Sequence, residues 1–296
     1  MISGEALRRL FNIHKGEEKP VGLLVSYSFV MGIAYAFLFT ISTTLFLNDF
    51  KVGMIPYAYM AGGVLSYLVW VLYAFFEKRA GFPLRLKTGT LFLLITLSAL
   101  VFGYLFTASK VFAFLLFVWV NVFLFINGVG FWGIASKLFN LQQGKRLFGL
   151  VGSGEIFAKA ISFLSVPVLV KYTPAKNLLY VCIAGLLLCH LLMTRIIAHF
   201  RDKLEVKKTV GTAGEGEKGK GFLEILKNRY LLYMFILAML PLFAAYFVDF
   251  IFLDQTKLQF KNAKLVSTFL GYFFGFMAVS EFVLKTFISG RLITRY

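Results

Sequence analysis

Eight apolar stretches occur at about 21–47, 54–76, 86–107, 111–135, 147–170, 177–198, 230–253 and 266–289. Each is close to the roughly 20 residues that a helix needs to cross a ~30 Å hydrocarbon core. Backbone N–H and C=O groups have no water partner there, so each run must satisfy its own hydrogen bonds as a helix. Short breaks with turn or charge chemistry separate the runs, such as 77–85 with Gly81 and Pro83, and 171–176 with Pro174. One connection is long: 201–221, RDKLEVKKTVGTAGEGEKGKG, is rich in Gly, Lys and Glu and reads as a flexible linker. Composition agrees, with 59% hydrophobic and 15% charged residues and a mean hydropathy of +0.79. Soluble domains average about 45–50% and 25%. The expectation is an all-α integral membrane protein, with six helices in 1–200, a linker at 201–221 and two helices of a second half in 222–296. The first 19 residues are polar and lack an apolar core with a cleavage site, so the first run is expected to stay as an anchor.

The formal charge of +17 would suggest nucleic acid in a soluble domain, but here its placement matters more than its size. Of the 31 Lys and Arg residues, 22 fall in the N-terminal segment, the even-numbered connections and the residues after the last run. Seven fall in the odd-numbered connections, and the other two, Lys159 and Lys285, lie inside apolar runs. This alternation is the positive-inside pattern and places the N-terminus and the 201–221 linker in the cytoplasm. Topology accounts for the charge, and no nucleic-acid partner is expected.

The stretch Phe131–Ala160, FWGIASKLFNLQQGKRLFGLVGSGEIFAKA, joins the fourth and fifth runs through a basic turn. Glu155 and Lys159 stand four residues apart inside the fifth run, where an ionisable side chain costs about 2.5–3.5 kcal/mol on insertion scales. Glu281 and Lys285 repeat the arrangement in the eighth run. Glu preceding Lys at this spacing is the favourable order for an intrahelical pair. Two readings are open: self-neutralised pairs that hold helices together, or charges that change partners during function. Lys145-Arg146 is either a cationic pair that receives an anion or an ordinary basic flank. Gly149, Gly152 and Gly154 include a G-x-G-x-x-A string, but no strand precedes it, so close helix contact is the better reading. Gly214–Lys220 nearly spells a phosphate loop and lacks the Ser/Thr and the α/β context.

Gly290-Arg-Leu-Ile-Thr-Arg-Tyr296 resembles the start of the Gly-x-Leu-x-Asp-Arg-x-Gly loop motif of the major facilitator superfamily, with Thr294 in the position of the Asp. Shifting the chain by 216 residues lays it over Ala74–Ala80, after the second run. Within that superfamily, Trp132, Gly133, Lys145, Arg146, Leu150, Gly152 and Gly154 resemble the nucleotide (ATP/ADP) translocase segment Trp-Gly-x-x-Asn…Ala-Lys-Arg-Phe-Tyr-x-Leu-x-Gly-x-Gly. The resemblance implies a 6+6 bundle of which about eight helices are present here. It also implies that helices 5 and 8 meet at the interface that rocks during alternating access, and that helices 1, 4 and 7 line a central cavity. Tyr35, Asn127, Trp132 and Asp249 are then candidate substrate or coupling residues, beside Lys145, Arg146, Glu155, Lys159, Glu281 and Lys285. Tyr27, Asn48 and Asp254, near helix ends, read as interfacial anchors.

No Ser/His/Asp set or zinc spacing involves His14, His190 or His199, and Cys182 and Cys189 read as small core residues. No enzyme activity, metal or cofactor is expected. The expected function is secondary transport of a small organic anion, of nucleotide type by resemblance, across a bacterial cytoplasmic membrane. Two alternatives stay open: a non-transporting membrane module of a larger regulatory protein with a fused soluble domain beyond residue 296, and a lipid-precursor flippase.

Overall fold

The computed structural model describes residues 13–14, 16–77, 81–205 and 228–285. Among the described residues there are eight long helices and no strand: α1 (Glu18–Asp49), α2 (Ile55–Glu77), α3 (Phe82–Thr107), α4 (Lys110–Leu138), α5 (Leu141–Tyr172), α6 (Leu179–Glu205), α7 (Arg229–Gln259) and α8 (Ala263–Val283). All eight are long and apolar enough to cross a membrane. They fall into two units, one of α1–α6 with α8, the other of α7. α7 is a single helix with Pro241 inside it.

Helix ends extend past the apolar runs where polar residues still find partners. α5 begins at Leu141, ahead of its run, because Asn140 and Gln143 form a capping box: Asn140 Oδ1 accepts from the Gln143 N–H (2.8 Å) and Gln143 Oε1 from the Asn140 N–H (3.0 Å). α6 continues through Arg201–Glu205, residues that the sequence assigns to the linker. The backbone leaves helical geometry at Phe200 (φ −123°, ψ 23°), and the redirected tail buries Leu204. There the Arg201 guanidinium donates to Glu205 Oε1 at 2.8 Å, and Lys137 Nζ donates to the Leu204 carbonyl at 3.3 Å. The rest of the linker, with the decoy Gly214–Lys220, and the Gly290–Tyr296 motif lie outside the described residues.

α1 is the hub of the larger unit, packed by α4, α5, α6 and α8. A helix apolar all round suits such a position. Lipid tails are as apolar as Leu, so helix association rests on close fit and small residues. Where α1 crosses α5, a Cβ on Gly32 would stand 2.5 Å from the Glu155 carbonyl oxygen, and one on Gly154 would stand 2.6 Å from Ser28 Oγ. Ser28 Oγ also donates to the Val151 carbonyl at 2.7 Å. Gly185 of α6 lies against Ala34 in the same way.

α8 packs on α5 through Gly271 and Gly275. Pro167 has no N–H, so the Phe163 carbonyl lacks its intrahelical donor. A Cβ on Gly271 would lie 2.8 Å from that oxygen and from the Pro167 ring, so only a glycine lets α8 approach here. The register runs Gly271 with Pro167, then Phe282 with Phe157, so these two helices are antiparallel.

Successive helices in this unit reverse direction, which gathers the basic connections at one end. Glu17 meets Gln143 and Arg146 there, and Lys137 meets Phe82 and Leu204. At the opposite end Phe46 stacks on Phe117 (4.5 Å) and on Phe50 (5.1 Å), closing α1 against α4.

Candidate functional site

The fifth-run charges come together at the seam between α1 and α5. Lys159 Nζ pairs with Glu155 Oε1 one turn earlier on α5, and it also sits 4.5 Å above the Tyr35 ring of α1. The side chains are 20% (Lys159) and 24% (Glu155) exposed, so both charges are largely removed from their surroundings, and each partner offsets the desolvation of the other. Gly32 sets this spacing, since any side chain there would push α1 off the Glu155 backbone. Tyr35 stacks with Phe39 (5.7 Å) and Phe123 (6.3 Å), and Phe39 meets Phe274 of α8 edge-on at 4.9 Å. A cation, a carboxylate and a wall of aromatic rings from α1, α4 and α8 thus share one region.

The echo on α8 is separate. Lys285 Nζ donates to Glu281 Oε1 at 2.6 Å, and both side chains are exposed. Among the described residues, each Glu is bridged to the Lys of its own helix, with no ion pair across α5 and α8. The two helices meet through glycines and aromatics instead, including Phe157 with Phe282 at 5.7 Å.

At the basic end, Arg146 is already engaged. Its Nη2 donates to both Glu17 carboxylate oxygens (2.7 and 2.6 Å), while Gln143 Nε2 donates to Oε1 (2.8 Å) and the His14 N–H to Oε2 (2.9 Å). Burial by itself would raise the Glu17 pKa, but the His14 N–H, the Gln143 amide and the Arg146 charge hold it below the ordinary value. Lys145 beside it is exposed. Sequence reasoning missed Glu17, which precedes the first apolar run and finds its partner 129 positions away. The Asn140-x-x-Gln143 capping box is the local signal that marks where α5 starts beside it.

One expectation is corrected. Tyr27 is fully buried, not an interfacial anchor; its hydroxyl donates to Asn127 Oδ1 at 2.8 Å and its ring stacks on Phe131. Asn127 is 2% exposed, and its NH2 donates to the Phe123 carbonyl at 3.1 Å. Its amide therefore links α4 to α1. Trp132 is half exposed, T-shaped on Phe148 of α5 at 5.7 Å, with Gly152 leaving room for its ring. Asn48 is exposed and donates to Asp49. Asp249 lies on α7, in the other unit. Cys182 and Cys189 are buried free thiols. Among the described residues no cluster of three His, Cys, Asp or Glu could hold a metal ion.

Comparison with known proteins returns one curated carrier. Over 187 residues the chain is 23% identical to ADP,ATP carrier protein 1 of Chlamydia muridarum (strain MoPn / Nigg), covering 56% of this chain and 35% of the carrier. The chain thus spans about a third of the length of this relative. No family model matches, and no solved structure matches.

Proposed function

We propose that the chain is the membrane part of a secondary transporter for an organic anion of the nucleotide class, working by alternating access in a facilitator-type bundle. The observation that carries this reading is the likeness to an ADP,ATP carrier, supported by eight membrane-length helices. The Glu155–Lys159–Tyr35 group supplies the chemistry for this reading. Lys159 rests between a carboxylate and a ring. An arriving phosphate takes the place of Glu155 opposite the ammonium, and the rings of Tyr35, Phe39 and Phe123 offer stacking area for a planar base. The antiparallel α5–α8 contact is the surface that slides, and Glu281–Lys285 stays self-neutralised at its margin. The N-terminus faces the cytoplasm, by the distribution of Lys and Arg.

The test is uptake of labelled ATP, ADP and a neutral nucleoside into vesicles that contain the full-length protein, with and without nucleotide inside. Uptake of the charged compounds that requires internal nucleotide is the expected result. No uptake of any of them, from protein shown to be folded, removes the assignment and favours a membrane module that does not transport.

A further inference from the structure

At the end of the larger unit away from Glu17 and Arg146, the α5–α6 connection and the start of α8 line an open cavity of about 430 Å³. Its walls include Lys171, Tyr172, Thr173, Pro174, Asn262 and Lys264. Pockets that hold small molecules begin at about 300 Å³. Both walls are stiff. Pro174 fixes the turn into the short 3₁₀ segment Ala175–Leu178, the Thr173 N–H is bonded to the Leu169 carbonyl, and Asn262 Oδ1 caps the Lys264 N–H at 3.0 Å.

The charge of this cavity is not accounted for by topology. This is the sparsely basic side of the chain, with seven Lys residues in its connections. Four of the seven, Lys171, Lys176, Lys261 and Lys264, belong to the two segments that meet here, and residues 170–178 and 260–264 contain no Asp or Glu. Lys171 and Lys264 are exposed and, among the described residues, have no carboxylate within ion-pair distance. The NH2 of Asn262 adds a neutral donor, and the exposed Tyr172 supplies an amphipathic rim. Two ammonium groups lining one concave space, with no carboxylate paired to them among the described residues, suit the oxygens of a phosphate better than a neutral or cationic ligand.

We propose that this cavity is a binding site for a phosphate-bearing anion, held chiefly by Lys171 and Lys264. The anion is a soluble phosphate compound or the headgroup of an anionic phospholipid in the adjoining leaflet. The proposal does not depend on the transport reading, because it concerns equilibrium binding at one end of the bundle.

The test uses the full-length protein in nanodiscs. In discs of phosphatidylcholine alone, inorganic pyrophosphate is titrated by calorimetry. In parallel, protein taken from phosphatidylglycerol-containing discs is delipidated and the retained phosphatidylglycerol is measured by mass spectrometry. Lys171→Gln/Lys264→Gln is expected to weaken one of these by at least about tenfold. Loss in the first identifies a soluble phosphate ligand, and loss in the second a lipid headgroup. Lys51→Gln/Lys110→Gln, which removes the same charge at the same end outside the cavity, leaves both unchanged. The proposal is overturned if wild-type protein shows neither binding, or if the two double variants weaken it equally. Vesicles that fail to take up nucleotide while pyrophosphate binding persists would remove the transport reading alone.

Discussion

Gly32→Ala is the sharpest probe of the seam that holds Glu155 and Lys159. The added methyl would stand 2.5 Å from the Glu155 carbonyl oxygen and 2.9 Å from Ala158 Cβ. A relaxed carbon-to-oxygen contact is about 3.3 Å or more, so α1 and α5 must part by about 0.8 Å. The obstacle is backbone, which cannot swing aside as a side-chain tip can. Overpacking of this kind costs about 1–3 kcal/mol, and stretching the Ser28–Val151 hydrogen bond adds about 0.6 kcal/mol, the average for such bonds in membranes. The helix-propensity gain of Gly to Ala returns about 0.5–1 kcal/mol. The net expectation is a loss of about 1–3 kcal/mol. Gly22, also in α1, has no neighbour within 4 Å of an added Cβ, so Gly22→Ala should be neutral or stabilising by up to about 1 kcal/mol. Reversible unfolding in mixed micelles by added dodecyl sulfate, followed by tryptophan fluorescence, measures both. Equal stabilities for the two variants, or a Gly32→Ala protein as stable as wild type, would refute the close α1–α5 crossing.

Other expectations follow from particular contacts. Glu17→Gln should cost about 1–3 kcal/mol, since it removes the charged acceptor of four hydrogen bonds. Because the folded pKa of Glu17 is lowered, its contribution is complete above about pH 4–5 and fades as pH falls through the folded value. The same unfolding assay run down to pH 3 should show a smaller acid loss in Glu17→Gln than in wild type, and parallel curves would count against the latch. Gly271→Ala should destabilise more than Gly275→Ala: the first meets the Phe163 carbonyl and the Pro167 ring, both fixed to backbone, while the nearest atoms to the second are the Leu164 side-chain Cδ2 and Cγ, with its backbone N farther off at 3.3 Å. Melting temperatures in detergent would decide the order. Glu155→Gln removes the negative charge paired with Lys159, and nucleotide uptake at normal expression should fall by about tenfold or more. Unchanged uptake would mean that the pair only holds α5 together.

The helices were legible because bilayer thickness imposes a length that composition cannot disguise, and each of the eight runs lies largely within a helix. Their ends were less so. Arg201–Glu205 looks like linker by composition, yet a single buried Leu204 and the reach of Lys137 across from α4 keep it helical. The Glu155–Lys159 pair could be read from spacing alone, being local. Tyr35 could be named as a cavity candidate but not as the ring under Lys159, and Glu17 could not be paired with Arg146, because both contacts depend on how α1 lies against α5. Asn127 could be picked out as a polar residue within an apolar run, but its hydrogen bond to Tyr27 depends on how α1 lies against α4.

The central position of α1 has a consequence for biogenesis. It is the first of these helices to leave the ribosome, yet α4, α5 and α6, which surround it, emerge later, so it must wait in lipid without its neighbours. Its sequence suits that wait. Thr40 donates to the Ala36 carbonyl (2.8 Å), Thr44 to Thr40 (2.7 Å) and Ser42 to Phe39 (3.2 Å), all within the helix itself. These hydroxyls need no partner that is still to be translated, and Ser28 also has the Val25 carbonyl of its own helix (3.0 Å); the Tyr27 hydroxyl, by contrast, finds Asn127 only when α4 arrives, and so records the moment at which insertion becomes assembly.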